Sequence, residues 1–196
     1  MSAESEWIKK EDISKILEDI DDLPAPKKIA LRRCCGKLLK EASAEATMAF
    51  YQVYSLPKKF DWAKDRLFAV ICMYCFCVAK DENGNQEKKK TIISFEKALC
   101  KKREQLERND FDGWSGAERR LLRLLDRRWD GDGLLCTDLW RMIKQMKNEE
   151  YMKGYVIDMA SLGWDLCSWN ADNRKVQQEW LRVCYQKDKE EEQNVN

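Results

Sequence analysis

Between Ser115 and Trp129 the chain reads SGAERRLLRLLDRRW, which sets Arg119, Arg120, Arg123, Arg127 and Arg128 around the leucines Leu121, Leu122, Leu124 and Leu125. At 3.6 residues per turn the leucines face a core, and Arg119, Arg120, Arg123 and Arg127 lie mostly on the other side. Ser115 followed by Glu118 has capping-box spacing and predicts a helix start there. Guanidinium groups are always charged and present a planar fork of donors. A helix face of this kind suits phosphate oxygens or a strongly acidic protein partner.

The same chemistry recurs. Lys101, Lys102 and Arg103 precede the arginine stretch; Arg141 and Lys144, then Arg174 and Lys175, follow it. Arg32 and Arg33 form an earlier basic pair. Antiparallel helices would merge the later groups into one track. Each phosphate neutralised contributes roughly −0.7 to −0.9 to the log–log salt slope, so a track engaging about five phosphates binds with strong salt dependence. Nothing in the pattern reads bases, so contacts fall on the backbone and carry little sequence preference.

The charge is local. The chain has 36 basic and 35 acidic residues, a formal net charge of +1. Residues 1–24 hold eight acids and three bases, residues 25–40 six bases and no acid, and residues 88–128 thirteen bases and seven acids. Near-neutrality therefore leaves room for nucleic-acid binding while arguing against a uniformly basic coat.

Other chemistries find little support. The chain has no histidine, which removes histidine general acid–base catalysis, Ser-His and Cys-His pairs and histidine metal ligands. Cys72-x-x-Cys75-x-Cys77 lacks a second ligand pair at comparable spacing and lies in an apolar helical segment, so it reads as core thiols and no metal is expected. Asp130-Gly-Asp-Gly opens like an EF-hand loop, but the sixth position is Leu135 and the twelfth Arg141, so it reads as a helix–helix turn. No phosphate-loop, dinucleotide-loop or nucleophile-elbow motif occurs. Neither a cofactor nor enzymatic activity is expected. The nine cysteines, with no apolar leader ahead of them, fit a reducing, cytoplasmic setting. The longest uncharged run, Leu67–Ala79, spans 13 residues, too short for a membrane. Trp164, Trp169 and Trp180 fall at helical spacings beside Leu162, Leu166, Val176 and Cys184 and read as core; Trp114 stands in a turn beside glycine.

The elements that position these groups read as helices throughout. They are expected near 7–20, 26–39, 44–54 with Ser43 as cap, 62–79 with Asp61 as cap, 92–107, 115–129, 134–147, 158–169 and 172–186. NDFDGW at 109–114 reads as a turn. The fold class is all-α, as two small helical bundle domains joined by a charged loop. Residues 1–80 form the N-terminal domain, 81–91 the linker, 92–186 the C-terminal bundle and 187–196 a disordered tail.

The order SGAERRLLRLLDRRWDGD, LCTDLWRMIKQM, VIDMASLGWDLCSW and NRKVQQEWLRVCYQ resembles the small subunit of the type I-E CRISPR surveillance complex (Cascade), the CasB family. AFYQVYSLPKKFDWAKDRLFAVICMYCF is similar to that family's N-terminal core. The resemblance spans roughly residues 27–186 and is strongest over 115–186. It implies an all-α, non-enzymatic subunit whose copies pair head to tail beside other Cascade subunits. It also implies that the subunit helps hold crRNA and target DNA and guides the displaced strand, stabilising the R-loop in antiviral defence. Arg119 and Arg120 match the family's ERR-type pair, Arg141 a basic position in the next helix, and Arg174 and Lys175 a pair opening the last helix. Arg123, Arg127, Lys101, Lys102, Arg103, Arg32 and Arg33 come from charge geometry alone. The rival reading is an all-α scaffold or adaptor whose basic face meets an acidic protein.

Overall fold

The apolar run that is too short for a membrane forms the centre of the fold. In a computed structural model, which describes residues 7–78, 90–109 and 111–185 and only the backbone within 108–115, α4 (Lys64–Cys77) is apolar on every side. Such a helix is stable only when wrapped on every side. It buries Leu67 through Met73 and Cys75 against α1 (Lys10–Asp21), α2 (Ala25–Arg32), α7 (Leu134–Lys147) and α8 (Met159–Cys167). Arg66, one turn into α4, is buried between the rings of Trp62 and Trp129, at 5.2 and 5.4 Å, and Nη1 donates to the Trp62 carbonyl. Burial lowers its pKa, and the two indole faces offset part of that cost.

α8 wedges between α1 and α4. A Cβ at Gly163 would lie 3.1 Å from Ile13 Cγ2 and 3.5 Å from Val70 Cγ1, so glycine permits this approach. Asp158 caps α8 by accepting from Ser161 N (3.0 Å), and its other oxygen accepts from Lys10 Nζ (2.8 Å). This ties the first helix to the eighth. α3 (Ala44–Val53) starts at Ser43, whose Oγ accepts from Ala46 N, as its sequence predicts.

The C-terminal part stacks α5 (Phe95–Asn109) against α6 (Phe111–Asp126) and α9 (Lys175–Tyr185). Phe95, Trp169 and Trp180 form its aromatic centre, with Trp180 4.7 Å from Phe95 and 5.1 Å from Trp169 between ring centroids. Both indole N–H groups are satisfied: Trp169 donates to Arg127 O and Trp180 to Asp165 Oδ2, each at 2.9 Å. The described residues bury one continuous apolar cluster that runs through both ends of the chain.

The all-α expectation stands, with one small addition. Thr91–Ile93 (β1) pairs in parallel with Tyr155–Ile157 (β2), Ile92 opposite Val156, where the sequence reading began a helix at Ile92. Thr91 thus belongs to a strand and not to the linker. Three successive β-branched residues favour an extended backbone.

Several boundaries move. Asn109 ends α5 and residues 111–114 open α6, where the sequence reading placed a turn, so Ser115 lies inside a helix and does not begin one. Gly113 and Gly116 each cost a helix about 1 kcal/mol, which burial of Ala117, Leu121, Leu124 and Leu125 outweighs. α6 ends at Asp126, before Arg127 and Arg128. α2 stops at Arg32, where Cys34 N bonds to Leu31 O and Cys35 N to Arg32 O in successive turns, and Gly36, with a φ of +81°, closes the turn beyond it. Asp61 lies within a 3₁₀ segment, Lys58–Ala63, ahead of α4. Trp164 is 42% exposed, whereas Trp169 and Trp180 are buried. The proposed loop over 81–89, the tail at 187–196 and the side chain of Trp114 lie outside the described residues.

Candidate nucleic-acid interface

Among the described residues α6 packs one side on α5 and α7, Tyr185 of α9 donates to its Glu118, and the arginines of its other side are exposed. Ala117, Leu121, Leu124 and Leu125 are buried; Arg119, Arg120 and Arg123 are exposed. Leu122 is 42% exposed, so it leaves the predicted core stripe and joins the arginine face. The reason is angular: Leu122 is about 100° round the helix from Leu121, and the stripe at 117, 121, 124 and 125 is already complete. Arg123 lies in the last turn, where the carbonyl end of the helix favours a cation.

The three cations of α5 have another fate. Lys102 is buried, 8% exposed, and cannot be a surface phosphate contact. Burial holds its pKa below the usual lysine value, and the nearby charge of Arg120 lowers it further. Arg103 donates through Nε to Glu107 and through Nη1 to the Cys184 carbonyl, both at 2.6 Å, with its guanidinium over the Tyr185 ring. It ties α5 to α9. Lys101 lies over the ring of Tyr155, 4.4 Å from its centroid. Three consecutive helical positions point about 100° apart and cannot share one face.

Past the end of α6, Arg127 pairs with Asp138 of α7 at 2.7 Å, and the exposed Arg141 reaches the same carboxylate at 3.6 Å. Two cations therefore share one anion. Arg174 has a left-handed backbone, φ +50°, and its Nη2 donates to the Leu125 carbonyl (2.8 Å) and meets Asp126 (3.2 Å). It closes the carbonyl end of α6, which offsets the strain of its backbone. Lys175, next to it, is exposed at the start of α9. Arg32 and Arg33 are exposed at the end of α2. The turn that follows them docks on α7, where Thr137 Oγ1 donates to the Gly36 carbonyl.

Of the twelve basic residues read from the sequence, Arg119, Arg120 and Arg123 thus share one exposed face. Arg127, Arg141, Arg174 and Lys175 lie around the end of α6 and the helices that meet it. Lys101, Lys102 and Arg103 brace the interior, and Arg32 and Arg33 stand on another element.

A cleft of about 320 Å³ opens where the end of α6 meets the α8–α9 connection. Arg128, Arg174, Asp126 and Asp172 border it, and Gln177 forms part of its wall. Gln177 was missed in the sequence. The usable signal was a polar residue one turn before Trp180 and two before Cys184, on the apolar stripe of its helix.

The cysteine run Cys72–Cys77 lines the interior. Burial pushes the Cys75 and Cys136 thiols up to about 12, far from the range of a reactive thiolate. No helix among the described residues is long and apolar enough to cross a membrane.

Comparison with known proteins adds a second line of observation. A family model described as CRISPR-associated protein Cse2 matches residues 28–185. A Cse2-family CRISPR-associated protein from Thermus thermophilus superposes with a TM-score of 0.64 at 19% identity, covering 91% of this chain and 99% of that one. CasB from M. ruber gives 0.65 at 16% identity, covering 95% and 98%. A chain of a CRISPR RNA-guided surveillance complex gives 0.59 at 18% identity, covering 89% of each. At these identities the likeness concerns the fold. A search of curated proteins found no match.

Proposed function

The chain belongs to the CRISPR-associated protein Cse2 family, and from that premise we propose that it is a non-catalytic subunit of an RNA-guided, Cascade-type surveillance complex. Its copies associate head to tail, beside other subunits and the crRNA. Its basic surface holds target DNA and the displaced strand and stabilises the R-loop. Base pairing by the guide supplies sequence specificity, and the protein supplies backbone contacts.

The observation that carries this reading is the exposed arginine face of α6. Arg119, Arg120 and Arg123 project from a helix whose other side is locked by Leu121, Leu124 and Leu125. A rigid helix holds charges at fixed spacing, so they meet a polyanion with little ordering cost. Arg141, Lys175 and the partly neutralised Arg127 extend that charge around the end of the helix. The buried Lys102 takes no part.

The test is charge reversal, R119E/R120E/R123E, in the assembled ribonucleoprotein. R-loop lifetime should fall, while the thermal unfolding of the isolated subunit stays near that of the parent. An R-loop as long-lived as the parent's would overturn the proposal. Salt-insensitive association of the subunit with an acidic protein, undisturbed by nucleic acid, would favour the scaffold reading.

A further inference from the structure

α9 ends on α6. Tyr185, the last described residue, donates its hydroxyl to Glu118 of α6, and the Arg103 guanidinium lies over its ring, 4.8 Å from the centroid. Arg103 also donates to the Cys184 carbonyl, so the last turn of α9 is held by side chain and backbone together. Tyr185 is 39% exposed, which puts the point where the chain leaves α9 at the surface, beside α6. Arg119 and Arg123 lie about 100° and 140° round α6 from Glu118, and Glu118 to Arg123 is a rise of about 7.5 Å. Beyond Tyr185, residues 186–196 carry four acids and two bases, with Glu190, Glu191 and Glu192 in succession and Val195 as the one aliphatic residue. Such a segment brings charge and almost no apolar area to a surface it meets. The three glutamates stand five to seven residues past Tyr185, a reach of about 17–25 Å at full extension. That is more than twice the rise from Glu118 to Arg123.

We propose that Glu190, Glu191 and Glu192 meet the arginine face of their own chain and compete there with phosphate. Three carboxylates answer Arg119, Arg120 and Arg123, so the contact is complementary in sign and in number. A tether this short holds the glutamates at an effective concentration in the millimolar range. Each exposed pair is weak on its own, so the segment yields to a strand that offers several phosphates at once. A strand fixed along an assembled complex therefore displaces it, and a brief contact with a single subunit does not. This inference rests on the nucleic-acid reading of α6 and adds its regulation.

The experiment uses the full chain, labelled with ¹⁵N, and an unpaired thymidine oligonucleotide followed by fluorescence anisotropy. Without nucleic acid, R119E/R120E/R123E should shift the backbone amide resonances of residues 190–192, equally at every protein concentration. E190Q/E191Q/E192Q should tighten oligonucleotide binding about three- to tenfold in low salt. It should also steepen the salt slope by up to about 2–3, because phosphate then meets arginines that no carboxylate has neutralised. A charge-matched control, E11Q/E18Q/D22N on the exposed side of α1, should tighten binding less than about twofold, since those acids stand on another element. Equal tightening by the control would overturn the proposal, leaving an effect of net charge alone. Amides that stay in place, with oligonucleotide binding still lost in R119E/R120E/R123E, would sink the contact while the function of α6 stands. Shifts that grow with protein concentration would assign the contact to a second copy and overturn it within one chain. Oligonucleotide binding that neither triple variant alters would sink the nucleic-acid reading of α6 and the competition with it.

Discussion

Lys101, Lys102 and Arg103 on α5, and Arg119, Arg120 and Arg123 on α6, are three cations each on neighbouring helices, with opposite roles. α5 is covered by α6 on one side and α9 on another, so its cations turn inward: one onto the ring of Tyr155, one into the interior, one onto Glu107 and the last turn of α9. α6 has an open flank, and its cations face out from it. Where a cation stands relative to the elements packed on its helix, and not the helix's basic content, decides whether it is a brace or a contact. A guanidinium bonded to a carbonyl at a helix end is already committed. Arg120 and Arg123, exposed on the open face, can meet phosphate.

Reversing each set in turn gives the largest expected effect. With R119E/R120E/R123E the salt slope of strand binding should flatten by about 2–3, one phosphate contact per arginine, with unfolding within about 1 kcal/mol of the parent because these are exposed positions. With K101E/K102E/R103E the chain should lose several kcal/mol, since a buried carboxylate at 102 has no partner and the bonds to Glu107 and Cys184 are gone. Urea unfolding and filter binding across a salt series separate the two. Equal destabilisation by both sets would break the contrast.

A smaller effect sharpens it within α5. Lys102 has a folded pKa lowered by burial, then by Arg120. The unfolded chain therefore binds more protons between that lowered value and the unfolded one of 10.5, and this residue's contribution to stability rises with pH across the window. Lys102→Met, which carries no charge to desolvate, should be more stable than the parent at pH 7, with the gap closing as pH rises toward 10. Melting curves of both proteins over that range check it. A gap that does not change with pH would place Lys102 in solvent.

What the sequence made legible followed from short-range rules. α7 runs over Leu134–Lys147 as its periodicity requires, and Ser43 and Asp158 stand where caps were expected or a helix began. The arginine face of α6 was visible for the same reason: its leucine spacing is local. Three features were not legible, each for a physical cause. Ser115-x-x-Glu118 has capping chemistry, but a helix already under way does not stop for it. The β1–β2 pair joins residues 64 apart, Thr91 to Tyr155, and three-residue strands carry no periodicity to detect. Lys102 and Arg103 look like their neighbours in composition; the fold distinguishes them, by burying Lys102 near Arg120 and Glu149 and by bringing the Cys184 carbonyl of α9 to Arg103. Cations are written in the sequence; the neighbours that cover them come from the fold.

The smallest effect addresses the cations between those extremes. Arg127 and Arg141 share Asp138, at 2.7 and 3.6 Å, so one carboxylate holds back two guanidinium groups at the edge of the arginine face. Arg127 is partly covered and Arg141 is largely exposed. The exposed Arg141 contact contributes no more than about 1 kcal/mol to stability. Asp138→Asn keeps an oxygen that can accept from the part-buried Arg127, so it should cost about 1 kcal/mol, and it raises the local charge by one. If these arginines belong to the same surface as Arg119, Arg120 and Arg123, strand binding should tighten, with a salt slope steeper by up to about 1. Combined with R119E/R120E/R123E, the same change should no longer tighten binding, because a strand that has lost the central contacts does not reach the edge. Additive effects of the two sets would instead make Arg127 and Arg141 a separate contact, and the face of α6 would end at its last helical turn.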